Sequence, residues 1–136
     1  MLRGIAVSVS LAGLVVMLGG CGKPTAEATA RQFVSLMQAG KFVEAAALWD
    51  LQAEGRAQNS DWDTFGESQR KLIIQKDLAP KKADLLQQWA SALPAGTKVA
   101  QVTVSGTSAQ ATLEGGPVRA LQLVKVGDNW KIAGMQ

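Results

Sequence analysis

The sequence predicts an α+β domain in which N-terminal helices pack on one face of a C-terminal curved antiparallel sheet of about four strands. From Pro24 to about Leu93 the apolar residues recur at helical spacing, and from Val99 to Met135 they fall in short alternating runs separated by glycine. The period changes at "LPAGTK", residues 93–98, where Pro94 and Gly96 punctuate the chain. Size agrees. Once the first twenty residues are set aside as a leader, the rest of the 136-residue chain is one domain long, with four Trp, three Phe and many Leu, Val and Ala to fill a core.

Each helix has its own local signals. The first is expected from about Ala26 to Ala39, capped by Thr25, stopped by Gly40, with Ala26, Ala30, Phe33 and Met37 on one face. A short second helix, about Phe42 to Leu51, packs Phe42, Ala45, Ala46 and Trp49. Ser60 is the expected cap of a third, whose Trp62, Phe65, Leu72 and Ile73 point inward and whose interior Gly66 weakens it. Pro80 suits the first turn of a fourth, carrying Leu85, Leu86, Trp89 and Leu93.

In the second half "VAQVTV" (99–104) and "AQATL" (109–113) flank the turn "SGTS", a hairpin signal. "VRALQLVKV" (118–126) follows the breaker "EGGP", with Pro117 at the strand's start, where a missing ladder donor is tolerated. "GDN" (127–129) then turns the chain into the last strand, "WKIAGM", whose Trp130 and Ile132 share the buried face. Consecutive strands joined by tight turns make a meander, and the helices are its only cover.

The leader reads as a secretory signal peptide: Arg3, an apolar stretch from Ile5 to Leu18, then Gly19 and Gly20 before Cys21. The apolar stretch is too short for a permanent membrane span. "LGGC", residues 18–21, resembles a bacterial lipobox at all four positions. The resemblance implies cleavage before Cys21, a diacylglycerol thioether on its sulfur and further acylation of the new amine. Each acyl chain contributes about 0.8 kcal/mol per buried methylene, so two or three chains hold the protein on its membrane. Gly22, rather than Asp, beside the lipidated residue resembles lipoproteins sent to the outer membrane, where the domain would face the periplasm; Lys23 follows it. The expected organisation is a signal peptide at 1–20, a lipidated end and short linker at 21–25, and one domain at 26–136. Cys21 is the only cysteine, so no disulfide forms within the chain, and with no histidine present a nucleophilic role for it is disfavoured.

Removing residues 1–20 takes away Arg3 and no acid, leaving thirteen basic residues against eleven acidic ones. The basic residues are scattered. The pairs Arg70 and Lys71, and Lys81 and Lys82, read as solvated helix faces, and no basic stripe suggests nucleic acid. No metal-ligand spacing, phosphate loop or nucleophile elbow occurs, so no cofactor is expected; "GTSAQ" (106–110) and "EGGP" read as turns.

"ARQFVSLMQAGKFVEAAALW" (30–49) and "LQLVKVGDNWKIAGM" (121–135) resemble the opening helix pair and last hairpin of the nuclear-transport-factor-2-like superfamily, particularly its small bacterial lipoproteins. The resemblance implies a curved sheet wrapped on helices into a cone with a pocket at its wide end. It also implies that catalytic members lean on Asp, Tyr, His and Arg there, and this chain has neither His nor Tyr. Carboxylates remain. Asp61 and Asp63 of "DWD", beside an aromatic, are open to a paired-acid or a cation-clamp reading, but acids at a helix's first turn, favoured by its dipole, explain them better. Among the aromatics, Trp49, Trp62, Phe65 and Trp89 are the candidates to line a cleft for a small apolar ligand. The expectation is a membrane-anchored envelope module that binds a small ligand or an envelope protein without turnover. A carboxylate-dependent hydrolase or isomerase and a structural adaptor of an envelope assembly are the alternatives.

Overall fold

A computed structural model describes residues 25–136; the leader, the lipobox and Cys21 lie outside the described residues. Helices fill the N-terminal half, and a four-stranded antiparallel sheet in the order β1-β2-β3-β4, not closed into a barrel, makes the C-terminal part. The α+β architecture is the one the change of period predicts.

Helix α1 spans Ala26–Gln38. Thr25 caps it, its hydroxyl accepting from Ala28 N–H at 3.1 Å. At the other end Gly40 (φ 76°) takes the left-handed conformation, so that Gly40 N–H reaches Met37 O and Lys41 N–H reaches Leu36 O, closing the helix with two otherwise orphaned carbonyls bonded. The apolar face of α1, with Ala26, Ala30, Phe33, Val34 and Met37 buried, lies against all four strands. Gln38 ties its end to the connector, donating to Pro94 O at 2.9 Å and Thr97 O at 2.8 Å.

The second helix is shorter than the apolar pattern suggests. α2 covers Phe42–Ala46. The chain then opens, and Leu48 O and Asp50 N–H bond to Ile132 N–H and O, making a parallel bridge at Trp49 beside the last strand. That pairing ends the helix before Leu51, because the same backbone groups cannot serve both structures. Asp50 instead caps a further helix, α3 (Leu51–Gln58), its carboxylate accepting from Ala53 N–H.

Ser60 caps no helix. Residues Trp62–Thr64 form one tight turn, and Gly66 is the extended N-cap of α4 (Glu67–Ile73) rather than an interior residue. Leu72 points to solvent at 51% exposure, with Ile73 and Phe65 partly buried against the core. Pro80 does lie in the first turn of α5 (Ala79–Gln88), but that helix continues without a break from α4 through a widened turn at Ile74–Leu78. Proline clashes with the carbonyl four residues before it and offers no N–H, and a wide turn just ahead of it accommodates both defects. Leu86 and Leu93 are buried, Leu85 and Trp89 half-buried.

The strands are β1 (Lys98–Ser105), β2 (Ser108–Glu114), β3 (Ala120–Val126) and β4 (Asn129–Met135). β3 starts two residues later than "VRALQLVKV", leaving Pro117 in the connection rather than at the strand's start. Two-residue turns with Gly106 (φ 62°) and Gly127 (φ 63°) first close both hairpins, a geometry whose twist matches that of the strands. Val99, Ala109, Ala111, Leu113, Leu121, Leu123, Trp130 and Ile132 are buried, so Trp130 and Ile132 do share the face toward the helices.

Candidate functional site

The four nominated aromatics separate into two pairs. Trp62 and Phe65 meet edge to face with centroids 6.0 Å apart. Trp62 is 1% exposed, donates from Nε1 to Gln52 Oε1 at 2.9 Å, and lies flat against Gly55 of α3. None of the clefts described below includes either residue. Trp49 and Trp89 form the other pair, centroids 6.3 Å apart, with Phe33 behind Trp49 at 5.9 Å. The bridge to Ile132 fixes Trp49, and the end of α5 fixes Trp89.

These two indoles border an open, mainly apolar cleft of 350 Å3, completed by Ala92, Val118, Gly134, Met135 and Gln136. It lies at the seam between the helices and the end of β4. A second cleft, of 390 Å3, opens on the other side of Trp49 between Leu51, Ile74, Ala79, Val126 and Lys131. A third depression, of 380 Å3, lies along the outer face of the sheet and is polar, with Thr103, Ser105, Ser108, Gln110, Thr112 and Gln122.

Lys82 is the residue that the sequence reading misplaces. It is buried rather than solvated, its side chain 6% exposed. Its ammonium is ion-paired to Glu54 of α3 and stands 4.2 Å from the Trp49 ring centroid and 5.7 Å from that of Trp89. A cation over an aromatic face is attracted by the ring quadrupole, more so when desolvated. The signal was present: Lys82, Leu86 and Trp89 are spaced four and three apart, on one helical stripe. Lys81, its neighbour, is exposed and pairs with Asp77.

Asp61 and Asp63 are not a paired-acid site. Asp61 is the N-cap of the single tight turn Trp62–Thr64 and Asp63 lies within it, the first-turn placement expected of them, and the exposed Asp63 carboxylate pairs with Arg56 at 3.1 Å. Among the described residues the buried polar or charged side chains are Thr29, Lys82 and Thr97, with no carboxylate, and no group of three or more His, Cys, Asp or Glu is placed to hold a metal ion. Comparison of the chain with protein-family models, curated proteins and solved structures finds no match.

Proposed function

We propose that this chain is a cell-envelope lipoprotein, anchored through Cys21 in the outer membrane and facing the periplasm, whose domain of nuclear-transport-factor-2-like type binds a small apolar ligand without turnover. The carrying observation is the pair Trp49 and Trp89 on the rim of a mainly apolar cleft with no buried carboxylate beside it. Rigid aromatic walls supply contact area with little rotamer entropy to lose, whereas proton transfer needs a titratable group within reach of the substrate. The lipobox resemblance and the order of the leader support the anchor.

Two measurements on full-length protein extracted from membranes test the two halves of this reading. Intact mass is expected to show a chain that starts at Cys21 and carries acyl groups, with Cys21→Ser left uncut and unacylated; an unmodified thiol on the mature chain would defeat the anchor. The neutral fluorophore N-phenyl-1-naphthylamine is expected to quench tryptophan emission saturably. Trp89→Leu should weaken its binding about tenfold, the 1.4 kcal/mol of one lost aromatic contact, while Trp62→Phe leaves it unchanged. Equal effects of the two substitutions would place the probe elsewhere. Turnover of a screened metabolite that vanished on replacing one acid would favour the enzyme.

A further inference from the structure

The two edges of the sheet are treated differently. The free side of β4 is covered by the chain itself, through the bonds of Leu48 and Asp50 to Ile132. β1 has β2 on one side, and among the described residues no backbone hydrogen bond reaches its other side. Edge strands are ordinarily blunted by charge, proline or a bulge. Here such devices stop early: Lys98 pairs with Glu114 at the strand's start, and a bulge lies between Val99 and Gln101. From Gln101 to Ser105 there is no charge, no proline and no irregularity, and Val104, on the helix side of the sheet, is 56% exposed.

We propose that this edge is an interface between two copies of the chain, whose β1 strands pair antiparallel about a two-fold axis at Thr103. The register follows from the hairpin. The two-residue turn makes Ser105 and Ser108 a hydrogen-bonded pair, so Ser105, Thr103 and Gln101 direct their backbone groups to β2 while Val104 and Val102 direct theirs to the open side. An axis at Thr103 sets Val102 of each copy opposite Val104 of the other, satisfying both outward residues of both strands with four hydrogen bonds. An axis at Val102 would carry Val104 onto the bulge, and one at Val104 would carry Val102 onto Gly106 of the turn. The Thr103 register also clusters four valines on the helix side, covering Val104, and opposes Gln101 to Ser105 and Thr103 to itself, so no like charges meet. This self-complementarity is what selects a second copy over an unrelated strand. Five residues a side bury less than the roughly 1,200 Å2 of a stable interface, so the dimer is weak and fills where copies are concentrated. The proposal stands apart from the ligand cleft, which is at the opposite edge of the sheet.

Disulfide trapping tests it. Thr103 is exposed on the outer face, and residues opposed in a non-hydrogen-bonded antiparallel pair have Cα atoms about 4.5 Å apart, within disulfide reach. Full-length Thr103→Cys in mild detergent, under a mild oxidant, is expected to form covalent dimer roughly tenfold faster than Thr112→Cys on the neighbouring strand, because pairing raises the effective thiol concentration. Adding Val104→Lys should bring Thr103→Cys back to the control rate. Equal rates for the two cysteine variants, or indifference to Val104→Lys, would each overturn the proposal.

Discussion

Glu54→Ala is expected to unfold about 10 °C below the parent chain, a loss at the lower end of the about 3–5 kcal/mol typical of a buried charge deprived of its partner. Lys82→Met is expected to cost much less. The asymmetry comes from burial: the Lys82 side chain is 6% exposed and that of Glu54 is 30% exposed. With Glu54 gone, the ammonium stays between two indoles and α5, away from water, and the attraction of the Trp49 and Trp89 rings, up to about 2 kcal/mol, does not replace its counter-ion. With Lys82 replaced by methionine, an unbranched apolar chain keeps the packing and the carboxylate of Glu54 turns to solvent. Thermal melts of the two variants and of the double variant check this, and the double variant should match Lys82→Met alone. Equal losses from the two single changes would mean that the pair is hydrated and contributes little.

What the sequence shows and what it hides divide along the range of the interactions. Thr25, Gly40, Gly106 and Gly127 act on their nearest neighbours, so α1 and both hairpins are legible from residue type and spacing. Helix α3 is not. "LQAEGRAQ" buries only Leu51 and Gly55 and so has no apolar stripe; what holds it is the cap at Asp50 and the contact of Gly55 with Trp62. The end of α2 is equally hidden, because it is set by a bridge from Trp49 to Ile132, far along the chain. The same holds for the site. Residue type nominates four aromatics, but only the packing decides that Trp49 and Trp89 border a cleft while Trp62 is closed in by Gly55, and only the packing brings Glu54 to Lys82. A lysine on an apolar stripe is ambiguous until its counter-ion is known, since the flexible stem reaches water from most helix faces.

The contact between Gly55 and Trp62 leads to an effect whose sign depends on background. A methyl group on Gly55 would come within 2.6 to 2.7 Å of Cη2, Cζ3 and Cε2 of the Trp62 ring, closer than packed carbons approach. The ring has nowhere to go: it is 1% exposed, bonded through Nε1 to Gln52 and braced by Phe65. Alanine would raise the intrinsic helix propensity of α3 by about 1 kcal/mol, yet overpacking a rigid neighbour costs about 1–3 kcal/mol, so Gly55→Ala is expected to destabilise the parent chain. Trp62→Ala, which removes the ring and leaves a cavity, should cost about 3–5 kcal/mol. Once the ring is gone the clash goes with it, and the added methyl then fills space and favours the helix. Gly55→Ala should therefore stabilise the Trp62→Ala chain by about 1 kcal/mol, a reversal that equilibrium urea unfolding of the four chains of a double-mutant cycle reads directly. If Gly55→Ala stabilised the parent as well, the close packing of α3 on the Trp62 ring would be wrong, and with it the reason that a helix forms where the sequence carries no apolar stripe.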